Sequence, residues 1–226
     1  MNQLSTQYVQ ALGLSLDVAW RRRTDPERKA EWDAFSSTLA ADESLVTHTY
    51  STVGLRAGVD VLLWRLAPSL EALERSAAAL LRSGTGRWLT VSQSFLGLIV
   101  PSQYVKRPTT QEQSMFTGER SKYLIVYPFT KDTSWYLMGR EARQGVMNEH
   151  MRIGHNYPQV RQLLANSFGL DDMDFLVAYE TDDLPAFSQL VRDLRGTDSR
   201  RSTVRDAPIL AGVHHTPAEV GELLGV

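Results

Sequence analysis

The chain has 226 residues, of which 42% are hydrophobic and 22% charged, and its formal net charge is -2, values typical of a globular protein of one large domain or two of about 110 residues each. The small net charge gives no general attraction to nucleic acid or to an anionic membrane surface. The absence of cysteine excludes disulfides, iron–sulfur ligation, thiolate-ligated haem and covalent c-type attachment.

The N-terminal half alternates strand-like and helix-like runs in the order β-α-β-β-α-β. We expect strands at 11–20, 44–53, 59–67 and 87–100, and helices at 24–40 and 68–83. Thr24 followed by Pro26, and Ser69 ahead of an apolar run, are typical helix starts. This order of elements is that of the ferredoxin-like fold.

The C-terminal half repeats that order after a polar stretch, residues 101–121. We expect strands at 122–129, 160–168, 173–181 and 203–215, and helices at 139–157 and 184–195, with a short last helix at 216–224. A gapless similarity between residues 59–73 and 173–187 is consistent with duplication.

These elements predict an α+β protein. It would consist of two ferredoxin-like β-α-β-β-α-β halves whose antiparallel sheets pack together, an architecture of the dimeric α/β-barrel type. The predicted division is residues 1–105, a connector loop at 106–120, and residues 121–226. The first twenty residues have neither the basic start nor the apolar core of a signal peptide, and no run of about 18 apolar residues occurs. We therefore expect a cytoplasmic protein without a membrane span.

One histidine lies on the apolar side of the predicted helix at 139–157. His150 follows Val146 and Met147 and precedes Ile153 at helical spacings. Such an imidazole is either a core side chain bonded to a backbone carbonyl or an axial ligand that points into an apolar slot. His155 lies five positions further on and points to another side of the helix, as a surface residue would.

Several motifs around His150 resemble the chlorite dismutase superfamily, and most closely its coproheme decarboxylase branch. The resemblance covers most of residues 104–215 and depends only on the order of elements over residues 1–100. The motifs that carry it are the run Tyr127-Pro128-Phe129-Thr130-Lys131, the pair Glu149-His150, Tyr157 seven residues on, and Gly169-Leu170-Asp171-Asp172.

The resemblance implies an iron porphyrin, haem b or coproheme, with His150 as its axial ligand. Trp135 and Tyr157 would then line the pocket, and Arg107 is a candidate for binding a propionate. The family places a glutamate where this chain has Asp198, and an axial imidazole usually donates its second N–H to such a carboxylate. We therefore expect Asp198 either to orient His150, over a longer hydrogen bond or through water, or to be a turn residue at the end of the preceding helix.

The resemblance also implies three catalytic residues. Tyr127 would be oxidised to a radical beside a propionate, and Lys131 would bind or protonate that carboxylate. Chlorite-splitting members place an arginine over the iron seven residues before the glycine of the GLDD-like motif, and this chain has Gln162 there. Arg161 is adjacent, and it would face the iron only if the strand register were shifted by one residue.

The function implied is peroxide-dependent oxidative decarboxylation of coproheme to haem b. The partners implied are the porphyrin, hydrogen peroxide, four further copies of the chain in a homopentamer, and a ferrochelatase in transient contact. Neither nucleic acid nor a membrane is expected as a partner. The alternatives are a chlorite dismutase or peroxidase-like haem enzyme with Arg161 over the iron, a non-catalytic haem carrier or sensor, and a barrel that binds no porphyrin.

Overall fold

The computed structural model describes residues 7–100 and 119–226. The chain forms two compact units, Met1–Ile99 with Ala211–Val226, and Val100–Leu210. Each unit contains an antiparallel sheet and helices, so the predicted α+β class with ferredoxin-like order is confirmed. Most of the predicted connector at 106–120 lies outside the described residues, and its boundaries stay a prediction.

In its described residues, the first unit is a five-stranded sheet with three α-helices. Its strands follow the order β4-β1-β3-β2-β9 across the sheet, and the neighbouring strands are antiparallel. The elements are β1 (Gln7–Leu16), α1 (Asp25–Ala40), β2 (Val46–Ser51), β3 (Val61–Ala67), α2 (Leu70–Arg82), β4 (Leu89–Ile99), β9 (Leu210–His214) and α6 (Pro217–Leu224).

Helix α6 packs on the first unit although it follows the second in sequence. The indole Nε1 of Trp32 donates a 2.9 Å hydrogen bond to the carbonyl oxygen of Pro217. Val220 and Leu224 join the core that α1 and the sheet enclose. Gly221 permits this approach, because a Cβ atom there would lie 2.5 Å from the Trp32 ring. The sequence pattern, by contrast, predicts this helix as part of the second half, residues 121–226.

Where the structure describes it, the second unit is a four-stranded antiparallel sheet in the order β6-β7-β5-β8. One face of it packs against helices through a core formed by Ile125, Val177, Tyr179 and Leu190. The elements are β5 (Tyr123–Lys131), α3 (Thr133–Leu137), α4 (Arg140–Gly154), β6 (Arg161–Asn166), β7 (Phe175–Thr181), α5 (Leu184–Arg195) and β8 (Thr203–Arg205).

The predicted last strand, 203–215, is two strands in the structure. Strand β8 pairs with β5 in the second unit, whereas β9 pairs with β2 in the first. Pro208 lies between them and has no N–H to donate to a strand ladder, which interrupts the pairing. No helix in the described part of the chain is long and apolar enough to cross a membrane.

Candidate functional site

The imidazole of His150 on α4 has a buried and unused nitrogen. Its Nδ1 atom has no hydrogen-bond partner among the residues that the structure describes. Burial, together with the charge of Lys131, lowers the pKa of His150 from 6.5 to about 4 against an opposing effect of Glu149. The ring is therefore neutral at pH 7, which is the form that binds a metal ion.

In the described part of the chain, the surroundings of His150 do not form a metal site of protein ligands alone. Within residues 7–100 and 119–226, no group of three or more histidine, aspartate or glutamate side chains could hold a metal ion. An iron atom held by one imidazole must bring its remaining ligands with it, as a porphyrin does. A neutral imidazole with an unused buried nitrogen therefore fits an iron porphyrin better than a free metal ion.

Lys131 lies at the end of β5 and is only 7% exposed. Its Nζ donates to the backbone oxygen of Ser199, to the Ser199 Oγ at 3.1 Å and to the Thr203 Oγ1 at 3.4 Å. It also lies 4.5 Å from the centre of the Trp135 ring. Burial lowers the pKa of Lys131 to about 8. The Lys131 ammonium thus donates its hydrogen bonds to three neutral oxygen atoms. The predicted bond from Lys131 to a carboxylate stays a prediction.

Tyr127 lies on the face of the β5-β6-β7 sheet that packs against α4 and α5. It contacts the core cluster to which α4 contributes Ile153 and α5 contributes Leu190. Its ring is stacked on Tyr179, with ring centres 6.2 Å apart. Burial raises the pKa of Tyr127 well above its ordinary value, and Tyr179 raises it further, so this phenol keeps its proton at neutral pH.

The strand register decides which of two adjacent side chains shares that face. Gln162 lies opposite Tyr179, and Arg161 lies opposite Glu180 on the same neighbouring strand. Paired residues of antiparallel strands point to the same face, and successive residues alternate. Gln162 is therefore on the face of Tyr127 and Arg161 is on the other.

Arg161 is held on that other face by a buried carboxylate. Its Nη2 lies 2.9 Å from the Oε2 of Glu180, a residue with no exposed surface, and 2.8 Å from the Ser121 Oγ. A second guanidinium, that of Arg120, lies 3.4 Å from the other oxygen of Glu180. Moving Arg161 to the opposite face would leave a buried carboxylate with less compensation, which is costly.

The remaining predicted residues lie in different surroundings. Trp135 is 4% exposed, and its ring packs against the Lys131 ammonium. The phenol of Tyr157 donates to Asp193 on α5. The carboxylate of Asp198 lies 3.3 Å from Arg201, and its backbone N–H donates to Glu149. A bond from Asp198 to His150 is not among the described hydrogen bonds and stays a prediction, while Arg107 lies outside the described residues.

The face of Gln162 also carries apolar surface that is open to a ligand. Leu164 follows Gln162 by two positions and is 44% exposed, and Phe168 just beyond the strand is 50% exposed. Phe168 packs edge-on against Phe175, with ring centres 5.0 Å apart. Exposed apolar side chains on one face of a sheet are the kind of surface that an apolar cofactor or substrate covers.

Sequence reasoning missed two partners in this site. Tyr179, the neighbour of Tyr127, is part of an alternating run in β7, and that alternation was the available signal. Ser199, the acceptor for Lys131, lies 68 residues away in sequence, and no sequence pattern indicates this contact. Its position follows only from the packing of the turn before β8 against β5.

Comparisons with known proteins support the family resemblance that the sequence motifs indicate. The chlorite dismutase family model matches residues 27–215. Coproheme decarboxylase from Mycolicibacterium smegmatis is 32% identical over 170 residues, which cover 74% of this chain and 72% of that protein.

Solved structures of chlorite dismutases are similar to this chain along nearly its whole length. A chlorite dismutase mutant from Candidatus Nitrospira defluvii, with a tryptophan-to-tyrosine and an arginine-to-glutamine substitution, shares 27% identity and a TM-score of 0.88, over 97% of this chain and 96% of that one. Chlorite dismutase from the same organism in complex with imidazole shares 26% identity and a TM-score of 0.87, over 96% and 94%.

Proposed function

Because the chain belongs to the chlorite dismutase family, we propose that it is a haem-forming enzyme: it binds iron coproporphyrin III (coproheme) through His150 and decarboxylates it to haem b with hydrogen peroxide. The similarity to a coproheme decarboxylase supports this choice of substrate. The neutral imidazole of His150, whose Nδ1 atom has no hydrogen-bond partner among the described residues, supports the mode of binding.

One observation carries the choice between decarboxylation and chlorite splitting. Gln162 and Tyr127 share the face of the sheet against which α4 packs, whereas Arg161 is on the opposite face beside Glu180. Chlorite splitting would require a cation over the iron, and a neutral amide supplies none. A phenol on the same face is instead suited to one-electron oxidation of a substrate side chain.

The reaction converts two propionates to vinyl groups. For each one, a propionic acid side chain and one hydrogen peroxide give a vinyl group, carbon dioxide and two waters. The iron supplies the oxidising chemistry when the porphyrin is bound, and the protein supplies orientation and charge. In this proposal His150 holds the iron, and Leu164 and Phe168 cover the porphyrin with apolar surface.

Tyr127 performs the step at the substrate carbon. Its phenol is protonated before the reaction, so it loses an electron and a proton together and becomes a neutral radical. The radical takes a hydrogen atom from the propionate carbon next to the ring and returns to the phenol. A second one-electron oxidation then releases carbon dioxide and forms the double bond. Hydrogen peroxide takes up the two electrons and two protons and is reduced to two waters.

Lys131 contributes charge to this site. With a pKa of about 8 it is mostly protonated at pH 7. Its longest hydrogen bond, 3.4 Å to Thr203, is the one that it would exchange for a substrate carboxylate. A bond to a carboxylate would be stronger, because both partners are charged.

Product masses test the proposal directly. The purified protein is mixed with iron coproporphyrin III and titrated with hydrogen peroxide, and we expect the loss of two carboxyl groups. Tyr127→Phe should abolish the conversion and leave porphyrin binding intact. Tyr123→Phe is the matched control, since Tyr123 lies on the same face of the same strand, and it should convert the substrate normally.

Two other outcomes would replace the proposal. Unchanged coproheme with an intact Soret band would indicate a carrier or sensor. Chlorite turnover that disappears in Arg161→Ala would indicate a chlorite dismutase. We also infer from the family a cytoplasmic homopentamer that receives coproheme from a ferrochelatase, and sedimentation of the porphyrin complex would measure the number of subunits.

A further inference from the structure

Tyr179 is a second phenol in the core of the second unit, and the proposed reaction does not yet use it. Its ring lies nearly parallel to that of Tyr127, at an interplanar angle of 27° and a centre-to-centre distance of 6.2 Å. Only 3% of the residue is exposed, and Phe187 covers it from α5 at 5.2 Å. The two tyrosines are therefore a stacked pair in the hydrophobic core cluster of the second unit.

The two phenols also influence each other's protons. Burial raises the pKa of Tyr179 to about 12, and its interaction with Tyr127 opposes that rise. The same interaction raises the pKa of Tyr127. Opposite signs of this kind are expected when Tyr127 is the donor and Tyr179 the acceptor within one pair.

The other tyrosines of this cluster have different surroundings. The hydroxyl of Tyr157 donates a hydrogen bond to the carboxylate of Asp193. Tyr123 lies four residues before Tyr127 on β5, and its ring contact is with the Lys122 ammonium, 5.3 Å from the ring centre. Among the described residues, Tyr179 alone stacks on the ring of Tyr127.

We propose that Tyr179 is a second redox-active tyrosine that exchanges a hydrogen atom with Tyr127, an inference that rests on the proposed decarboxylation. In this exchange the O–H bond of Tyr179 breaks as the O–H bond of Tyr127 forms. One electron and one proton move together from Tyr179 to the Tyr127 radical, so no other reactant is consumed. Both partners are phenols, and the exchange is therefore nearly balanced in energy.

The exchange protects the oxidising equivalent when no propionate is in place. Tyr179 is buried and Tyr127 only partly so, and a radical on Tyr179 is therefore farther from the solvent and from the reductants dissolved in it. It returns to Tyr127 by the reverse transfer when the next propionate is positioned. Tyr179 is thus a redox partner of the catalytic tyrosine and does not itself contact the substrate.

Electron paramagnetic resonance tests this inference. The coproheme complex is mixed with peroxide and frozen within milliseconds, with ring-deuterated tyrosine used to identify tyrosyl signals. We expect two tyrosyl components in the wild type, and in Tyr179→Phe a single component that decays several-fold faster. Tyr123→Phe should retain both components. Tyr179→Phe keeps the ring and removes only the hydroxyl, and circular dichroism checks its fold.

The porphyrin-free protein provides a second measurement. Titration of tyrosine absorbance should show that Tyr179→Phe lowers the pKa of Tyr127, and that Tyr123→Phe does not. If the wild type decarboxylates coproheme but Tyr179→Phe gives the same tyrosyl spectrum and decay, this inference is wrong and the proposed function stands. If the wild type does not decarboxylate coproheme, both are wrong.

Discussion

The depressed pKa of His150 predicts a specific dependence of stability on pH. The ring is neutral in the folded and unfolded chain above about pH 6.5. Between 6.5 and about 4 only the unfolded chain binds a proton at this position, so stability falls as the pH falls. Below about pH 4 both states are protonated and the loss is complete.

The size of this effect follows from the difference between the two pKa values. One pKa unit corresponds to 1.36 kcal/mol, so a pKa of about 4 in place of 6.5 predicts a loss of about 3 kcal/mol of unfolding free energy. The replacement His150→Gln is polar but does not titrate. The loss on acidification from pH 7 to 4 should therefore be smaller in the variant by this amount.

Two measurements check this prediction on the porphyrin-free protein. Urea unfolding at several pH values gives the free energies of the wild type and of His150→Gln. Nuclear magnetic resonance of the five histidines gives the pKa of His150, whose signal is the one missing in the variant. Parallel stability profiles, or a signal that titrates near pH 6.5, would refute the buried neutral imidazole.

Other predictions concern packing and buried charge. Glu180→Gln removes the carboxylate that faces Arg161 and should lower the unfolding free energy by roughly 3–5 kcal/mol in urea unfolding; a change below about 1 kcal/mol would mean that the ion pair is dispensable. Gly221→Ala places a Cβ atom 2.5 Å from the Trp32 ring and should destabilise the first unit by about 1–3 kcal/mol. Gly145→Ala, on α4, meets no atom within 4 Å and should instead stabilise by up to about 1 kcal/mol. Equal effects of the two glycine replacements on the melting temperature would contradict the packing of α6.

Local features of the fold could be predicted from the sequence because they depend on neighbouring residues. Thr216, the first residue of the predicted last helix, forms a capping box, with Glu219 accepting from the backbone N–H of Thr216 at 2.7 Å. Ser69 likewise accepts from the N–H of Ala72 at 3.2 Å at the start of α2. Each of these hydrogen bonds spans three residues, so the residue types alone indicate it.

The arrangement of the candidate site could be predicted only in part. Strand alternation put Gln162 and Arg161 on opposite faces, but the register that pairs them with Tyr179 and Glu180 depends on a second strand. The partners of Lys131 could not be predicted, because Ser199 is remote in sequence. The place of α6 also depends on tertiary packing, since Gly221 matters only when Trp32 lies against it.

The amino-acid sequence by itself determined most of the order of strands and helices, the helix caps and the motifs around His150, since these depend on residue type and short spacing. It did not predict α3 or the division of residues 203–215 into two strands. Tertiary structure decided that the His150 ring is neutral, that Arg161 is held beside Glu180, and that Tyr127 has a second phenol as its neighbour. Burial and long-range pairing set these properties. The protonation state of a group and the identity of its contacts depend on residues that are distant in sequence and that only folding brings together.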